Sequence, residues 1–303
     1  MRLVRSVSEE SIPEIRRVEI DENHVRQFES EEDFTGLAVD ILVEVGSFVC
    51  VAGSLLPADR QAWNRDKAVI GGHLVRLYKL INALLDQTCQ RRRETSFIFG
   101  RLAFECIINL RYLIVHASDE LFRSYRTYSL KHEYKLLGRI EKNIEARGGN
   151  ELPIERRMIN SIIRSFEVSG ISLDTFALGE LKNWGGKNIF EKAQAVGLET
   201  AYLGAFGGGS HSVHGNWQDL LEYHLEETDE GGFKPDFEWH RPRPQLLNAV
   251  ALHSTQAVID YLQWLASDGA EDIVTVLQGL QNRILLLDRL HEEFLAHRSS
   301  RNA

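Results

Sequence analysis

Residues 96–117 read Ser96-Phe-Ile-Phe-Gly-Arg-Leu-Ala-Phe-Glu-Cys-Ile-Ile-Asn-Leu-Arg-Tyr-Leu-Ile-Val-His-Ala117, and helical spacing puts apolar side chains around nearly the whole circumference of this segment. A helix of that kind is buried. Four polar residues interrupt it at spacings of four, four and three, so they share one face: Arg101, Glu105, Asn109 and Tyr112. Buried charge is costly unless it is paired. The stripe is therefore either an internal Arg101–Glu105 ion pair that only fixes the packing, or one wall of a polar site.

Apolar residues recur at helical spacing through most of the remaining chain, and turn or cap signals separate the segments. Ser30 with Asp33 resembles an N-cap signal before the segment at 37–53, Pro153 is expected to start a helix, and Gly170 is expected to end it. The pattern predicts helices over residues 37–53, 65–88, 119–148, 153–170, 188–196, 246–266 and 271–297, the last two as an antiparallel hairpin. No run alternates over enough residues to predict a strand. The sequence therefore predicts an all-α protein, a multi-helix bundle with a C-terminal helical hairpin.

Composition suggests four parts along the chain. They are a charged N-terminal extension (1–33), a helical core domain (34–225), a loop that is acidic first and proline-rich afterwards (226–244), and the C-terminal hairpin packed on the core (245–303). Three aromatic residues of the loop, Phe233, Phe237 and Trp239, are expected to anchor it to the protein surface.

The overall charge, the cysteine content and the apolar runs argue against several classes of protein. A net charge of −9 argues against a broad phosphate-binding surface. The three cysteines are widely spaced, and the first ten residues lack the apolar core of a signal peptide. The most apolar run, residues 37–56, is interrupted by Asp40 and Glu44. We therefore predict a cytoplasmic protein that does not act at a membrane.

A second unusual stretch is Tyr202-Leu-Gly-Ala-Phe-Gly-Gly-Gly-Ser-His-Ser-Val-His-Gly-Asn-Trp217. If residues 199–225 form one helix, six side chains share a face: Tyr202, Phe206, Ser210, His214, Trp217 and Leu221. Three glycines in that helix would cost about 3 kcal/mol relative to alanines. Either the helix breaks there, which would create an anion-binding N-terminus at Ser210, or another backbone or a ligand approaches the bare surface closely.

His214 is the best candidate for acid–base chemistry in this stretch, because the ordinary pKa of histidine lies near neutrality. Ser210, one helical turn earlier, is its candidate hydrogen-bond partner. Candidate ligand-binding residues are Asn109, Tyr112, Tyr202, His211 and Trp217. The histidines at 211, 214 and 224 match no established zinc motif, so neither a metal nor a cofactor is predicted.

Two helix motifs carry a resemblance to a known family. The helix with Arg101-x-x-x-Glu105 that ends Asn109-Leu-Arg-Tyr-Leu113, followed by Tyr202 and by Ser210-x-x-Val213-His214-Gly215, resembles the bacterial domain of unknown function five-six-seven-seven over roughly residues 60–225. The resemblance implies an all-helical fold and no established activity.

The helical arrangement also resembles the HEPN superfamily (higher eukaryote and prokaryote nucleotide-binding). Many of its members are metal-independent ribonucleases of toxin–antitoxin and antiphage systems, and their motif is an arginine followed shortly by a histidine. With His214 as that histidine, the arginine would fall at residue 207, 208 or 209, and all three are glycine.

Two functions are compatible with these features. In the first, the protein is a binding or regulatory module of a bacterial defence or toxin–antitoxin system, and an exposed surface recognises a protein partner. In the second, it is a HEPN-like metal-independent ribonuclease or nucleotide-processing enzyme. His214 would then be the acid or base, Arg101 the phosphate clamp, Glu105 the residue that orients Arg101, and Ser210 a local partner. A homodimer is expected from the HEPN resemblance.

Overall fold

The computed structural model describes residues 3–5, 15–57, 62–174, 176, 182–265 and 270–301, with the backbone alone for 3–5, 56–57, 205–210 and 300–301. Helices dominate these residues, and strands form only two short two-stranded sheets, which confirms the all-α prediction. The chain divides into two compact units, one of residues 1–115 with 192–303 and one of residues 116–191.

The described α-helices and strands are numbered in chain order. The helices are α1 (Glu22–Val25), α2 (Glu31–Gly53), α3 (Arg65–Cys89), α4 (Arg93–Val115), α5 (Asp119–Ser129), α6 (Lys131–Ala146), α7 (Pro153–Ser169), α8 (Ile189–Ala195), α9 (Glu199–His214), α10 (Trp217–Tyr223), α11 (Pro244–Leu265) and α12 (Glu271–Arg301). The strands are β1 (Leu3–Arg5), β2 (Leu55–Pro57), β3 (Leu225–Glu227) and β4 (Phe233–Pro235).

Four helices form a ring in the larger unit: α2 packs on α3, α3 on α4, α4 on α11, and α11 back on α2. Their inward faces make one apolar core, because each helix repeats large aliphatic residues at spacings of three and four. Fully buried members include Phe34, Ile41, Leu42, Ile70, Leu74, Leu77, Ile81, Leu84, Phe104, Ile107 and Tyr261. The predicted bundle is therefore built from segments at both ends of the chain.

The two C-terminal helices pack against each other, and α12 also packs on α2. Gln281 Nε2 donates to Gln256 Oε1 at 3.0 Å, and Asn248 Nδ2 donates to Asp288 Oδ1 at 3.4 Å. Residue numbers rise along one helix as they fall along the other, so α11 and α12 form the antiparallel hairpin that the sequence predicts.

The smaller unit has its own core, formed mainly by α6 and α7. The buried residues of this core are Leu130, Leu137, Ile140, Ile162, Phe166 and Phe176. A 3₁₀ turn at Trp184–Gly186 packs on α5, where the rings of Trp184 and Tyr125 meet edge to face at 5.2 Å. The backbone N–H of Gly185 donates to Ser124 Oγ at 3.0 Å.

Several helix ends lie where the cap signals predict them. Ser30 and Asp33 form a reciprocal capping box at the start of α2. Pro153 occupies the first turn of α7, and Gly170 ends that helix in the left-handed conformation with φ 66°.

The prediction of one helix over 119–148 is wrong. The helix breaks at Leu130, whose backbone N–H is shared between the carbonyls of Arg126 and Thr127. Leu130 stays in the right-handed helical region and its side chain is buried, so the apolar periodicity continues across the break. The periodicity therefore cannot reveal where α5 ends and α6 begins.

The condition of one helix over 199–225 is met as far as His214. The helix continues through residues 207–209, so the alternative of a break there is wrong and no helix N-terminus arises at Ser210. It ends instead at His214, because Gly215 adopts a left-handed conformation with φ 56° and Asn216 caps the separate helix α10. Trp217 and Leu221 are therefore not on the same helix as Tyr202.

The segment 226–244 contains secondary structure that the sequence analysis does not predict. β3 and β4 form an antiparallel hairpin with Glu226 opposite Lys234, and β1 pairs with β2 elsewhere in the larger unit. Strands of three residues are too short to show an alternating pattern.

Two of the described helices, α2 and α3, are long and apolar enough to cross a membrane by length and composition alone. Both contribute buried residues to the bundle core. Core helices of globular proteins pass the same test, so this observation is weak evidence for a membrane location.

Candidate functional site

The polar stripe on α4 faces α9, which packs along that helix. Arg101 Nη1 lies 3.5 Å from Glu105 Oε2, and the Arg101 side chain is only 13% exposed, against 39% for Glu105. Tyr202, near the start of α9, lies within electrostatic range of both charges. Burial raises the pKa of Tyr202. The charge of Arg101 lowers this pKa in part, and the charge of Glu105 raises it. The structure therefore brings together three of the predicted site residues.

The stripe continues to Asn109 and Tyr112, where α8 contributes a residue that the sequence analysis missed. Lys192 is 3% exposed, and its Nζ lies 5.9 Å from the centre of the Tyr112 ring, within range of a cation–π interaction. Within the described part of the chain, the buried Oδ1 of Asn109 has no hydrogen-bond partner. We call these residues the α4 cluster: Arg101, Glu105, Asn109, Tyr112, Lys192 and Tyr202.

Little in the sequence indicates that Lys192 is buried beside α4. It stands in a helix of seven residues, too short to show a clear apolar face. The one available hint is that Lys192 lies beside Ala193 and four residues before Val196, both of which are buried. A long lysine stem can line such a surface.

His214 lies at the other end of α9. It is exposed in the last turn of the helix, twelve residues after Tyr202, which corresponds to about 18 Å along the helix axis. His211 Nδ1 accepts a hydrogen bond from Asn216 Nδ2, the residue that caps α10. The side chain of Ser210 is outside the described residues, so its predicted partnership with His214 stays a prediction.

The histidines are not grouped as metal ligands. His224 Nε2 lies 3.4 Å from Oδ2 of the buried Asp219, while His211 is bonded to Asn216. No group of three or more histidine, cysteine, aspartate or glutamate side chains suited to a metal ion occurs among the residues that the structure describes.

An exposed apolar surface follows directly after α9. We call it the aromatic surface, and it consists of Trp217, Leu220 and Leu221 on one face of α10, Phe233 on β4, and Phe237 and Trp239 in the segment that follows. The rings of Trp217 and Phe233 meet edge to face at 5.6 Å. Trp217 is 57% exposed, Trp239 52%, and Phe237 87%. Single exposed apolar residues are ordinary, but large ones grouped on neighbouring elements indicate a binding surface.

The expected anchoring role of the loop aromatics is therefore wrong for Phe237, which stays almost fully exposed. Trp239 does contact the body of the unit, since the guanidinium of Arg92 lies 5.0 Å from the centre of its ring. The sequence shows the aromatic residues, but only the folded chain shows that they remain accessible.

Acidic side chains border the aromatic surface. Glu226, Glu227, Asp229 and Glu230 all lie exposed in the hairpin β3–β4. Lys234 pairs with Glu226 at 2.9 Å, which leaves an excess of negative charge on the hairpin. A surface with an apolar centre and a charged border has the anatomy of a protein–protein interface.

These features define the class of the protein: a helical bundle whose most unusual exposed feature is an acid-bordered aromatic surface. The chain belongs to the Family of unknown function (DUF5677), which matches residues 67–233, more than half of its length. The matched range includes the α4 cluster, α9, α10 and the hairpin up to Phe233. No curated protein and no solved structure matches the chain.

Proposed function

We propose that the protein is a binding module that recognises a basic protein partner through the aromatic surface. The observation that carries the proposal is the group of large apolar side chains that remain exposed between Trp217 and Trp239. Tryptophan and other aromatic residues are enriched at the centres of protein interfaces, where they supply most of the binding energy. Six exposed apolar side chains on α10 and the following segment supply such a centre.

The charge of the surface indicates the chemistry of the partner. The hairpin acids Glu226, Glu227, Asp229 and Glu230 carry the same sign as the chain as a whole, whose net charge is −9. Opposite charges across an interface accelerate association and exclude wrong partners. A partner with lysine or arginine around an apolar pocket fits this surface best.

A second copy of the chain fits the aromatic surface less well. A two-fold dimer through this surface would bring the same acidic hairpins together, because a two-fold interface uses the same patch on both subunits. Like charges in that position weaken association. The homodimer that the resemblance implies should therefore use another surface.

In this proposal the α4 cluster holds α9 against α4 and so positions α10 and the hairpin. The Arg101–Glu105 ion pair is mostly shielded on its cationic side, which suits a packing role. The proposed setting is the bacterial cytoplasm, with regulation within a defence or toxin–antitoxin system as the biological role.

The test is a comparison of co-purified proteins in the native host. Tagged wild-type protein would be compared with Trp217→Ser/Phe237→Ser, with Glu226→Lys/Glu230→Lys, and with Leu285→Ser. Leu285 is a matched control, because it is 50% exposed on α12, away from the surface. We expect one basic protein to be recovered with the wild type and the control and lost from both surface variants. The proposal would be contradicted if the same proteins were recovered with the wild type and with every variant.

A metal-independent ribonuclease is the second candidate, favoured by the two cations of the α4 cluster, Arg101 and Lys192. Cleavage of RNA by its own 2′-hydroxyl requires positioned cationic and acid–base groups and no metal. Purified protein would be incubated with transfer RNA and total RNA in EDTA, beside His214→Ala and Arg101→Ala. Cleavage that both substitutions abolish would support this candidate, and intact RNA with folded wild-type protein would reject it.

A further inference from the structure

A second feature of the larger unit lies next to the Trp239 end of the aromatic surface, where Arg92 contacts the Trp239 ring. A cavity of about 500 Å³ opens between the start of α2, the turn from α3 to α4, and the segment that leads into α11. Four arginines line it: Arg91, Arg93, Arg241 and Arg243. In a chain with a net charge of −9, a cavity with this many cations is unexpected.

One carboxylate serves two of these arginines. Glu32, near the start of α2, accepts from Arg91 Nη2 at 2.6 Å through Oε1 and from Arg241 Nη1 through Oε2. The neighbouring Glu31 also lines the cavity, and its Oε1 lies 3.2 Å from Nε2 of the buried His291. Two carboxylates thus accompany four guanidinium groups in the lining of the cavity.

The other two arginines lie close enough to repel each other. Arg93 is held in place by hydrogen bonds from its backbone N–H to His240 O at 3.0 Å and from its Nε to Arg241 O at 2.7 Å. Burial lowers the pKa of Arg93, and the charge of Arg243 lowers it further. Among the described residues, neither Arg93 nor Arg243 forms an ion pair with a carboxylate; Glu31 and Glu222 act on Arg93 only at longer range.

The backbone on the cavity wall is also unusual. Arg91 has φ 60°, and it is the one described residue other than glycine in the left-handed region. Arg91 follows the C-cap of α3, and the Arg92 N–H donates to Gln87 O at 3.0 Å, so the left-handed conformation ends this helix. The turn that follows α3 thus carries Arg91, whose guanidinium donates to Glu32.

We propose that this cavity binds a small phosphorylated molecule, with the phosphate held between Arg93 and Arg243 and with Glu32 as an internal competitor. Guanidinium groups bind phosphate oxygens in pairs through charge-assisted hydrogen bonds. The walls at Val39 and Pro242 offer apolar contact to the carbon part of the ligand. The volume lies within the range of roughly 300–1,000 Å³ that is usual for small-molecule sites.

Because Glu32 competes with the ligand, two substitutions in the cavity should change the affinity in opposite directions. Phenyl phosphate and inorganic phosphate would be titrated into the full-length protein by calorimetry, with benzenesulfonate as a singly charged comparator. Arg243→Gln should weaken phenyl phosphate binding by about tenfold or more, because a charge-assisted contact is lost. Glu32→Gln should tighten it, because Arg91 and Arg241 become available to the ligand.

The control is Arg289→Gln, which removes the same charge from an exposed position on α12. This variant should bind phenyl phosphate as the wild type does, and thermal unfolding would verify that every variant is folded. The proposal is overturned if the wild type shows no binding at roughly millimolar phenyl phosphate. It is equally overturned if Arg243→Gln has no effect or if Glu32→Gln fails to tighten binding.

Discussion

Gly71 and Gly72 are neighbours in α3, yet only the first is covered by another side chain. A Cβ on Gly71 would lie 2.6 Å from Cη2 of Trp63, whereas a Cβ on Gly72 would meet nothing within 4 Å. The indole is held in place, because Trp63 Nε1 donates to Leu55 O at 3.2 Å. We expect Gly71→Ala to lower the free energy of unfolding by about 1–3 kcal/mol, as overpacking does elsewhere.

Gly72→Ala is the matched control for this prediction. It should raise the free energy of unfolding by about 0.5–1 kcal/mol, because alanine restricts the unfolded chain and favours helix. Urea denaturation of both variants measures the two values. Equal effects of the two substitutions would show that Trp63 does not pack on Gly71.

His253 makes the stability of the larger unit depend on pH. Burial, and then the charge of Arg111, lower the pKa of His253 to about 4, well below that of an exposed histidine. Above about pH 6.5 the side chain is neutral in both states, and its contribution to stability is complete. As pH falls from about 6.5 to 4, the unfolded chain binds a proton that the folded chain does not, so the free energy of unfolding decreases.

Replacement of the histidine tests this contribution. His253→Gln should reduce the loss of stability between about pH 7 and pH 4.5, by up to about 1.4 kcal/mol per pH unit where the unfolded histidine is protonated. His73, whose pKa burial also lowers to about 4, would account for a similar share of the slope that remains. Urea denaturation at a series of pH values measures both, and parallel curves for wild type and variant would refute the assignment.

At the residue scale, the sequence predicted part of the α4 cluster. The spacing of Arg101 and Glu105 on a buried helix left two alternatives, an internal ion pair or one wall of a polar site, and the structure brings the two side chains to 3.5 Å. Lys192 and Tyr202 lie about ninety to a hundred residues further along the chain, so their position beside α4 depends on tertiary packing. Local periodicity contains no information about that packing.

At the scale of elements, the sequence predicted some helix ends and missed others. Ends that a side-chain cap or a terminal glycine specifies were predicted, as at Ser30 and Gly170. The end at Gly215 was missed because the apolar spacing continues past it to Trp217, and the end at Leu130 was missed because the residue stays helical and buried. Patterns in the sequence report which side chains are buried more reliably than they report where the backbone turns.

Glu44 joins three elements through one ion pair. It interrupts the apolar run of α2, and its partner is Arg283 on α12, with contacts at 2.7 Å to each carboxylate oxygen. Glu44 Oε2 also accepts from the backbone N–H of Val18 at 2.8 Å, so the segment before α1 is held to the same pair. No local pattern predicts a partner so distant in the chain.

Removal of Glu44 should therefore be costly. The Glu44 side chain is 1% exposed and that of Arg283 is 11% exposed, so Glu44→Ala leaves a buried charge without its partner. We expect the free energy of unfolding to fall by about 3–5 kcal/mol. The control is Glu19→Ala at the exposed Arg17–Glu19 pair, which should change stability by less than about 1 kcal/mol. Urea denaturation measures both values, and a loss at Glu44 as small as that of the control would contradict the prediction.

At the scale of the molecule, periodicity was sufficient for the all-α class but not for the arrangement of helices. The ring combines α2, α3 and α4 with α11, which follows α4 by more than a hundred residues. The accessibility of the aromatic surface has the same origin, because exposure is a property of the assembled chain. Aromatic residues in a loop are compatible with anchoring as well as with binding, and only the fold distinguishes Phe237 from a buried anchor.

The exposed position of these side chains leads to a stability prediction for the whole molecule. Trp217→Ser/Phe237→Ser should change the free energy of unfolding by less than about 1 kcal/mol, because surface substitutions that break no buried contact are nearly neutral. Thermal and urea unfolding beside Leu285→Ser would measure it. A large loss of stability would indicate that the aromatic surface belongs to the core and would leave it unsuited to a partner.

The most direct test of the proposed function is photocrosslinking in living cells of the native host. A photoreactive phenylalanine analogue would replace Phe237, and the same analogue at Leu285 would serve as the control. We predict an adduct with one basic protein from position 237 and none of that adduct from position 285. No adduct at position 237, an adduct only with a second copy of the chain, or the same adduct from both positions would contradict the account.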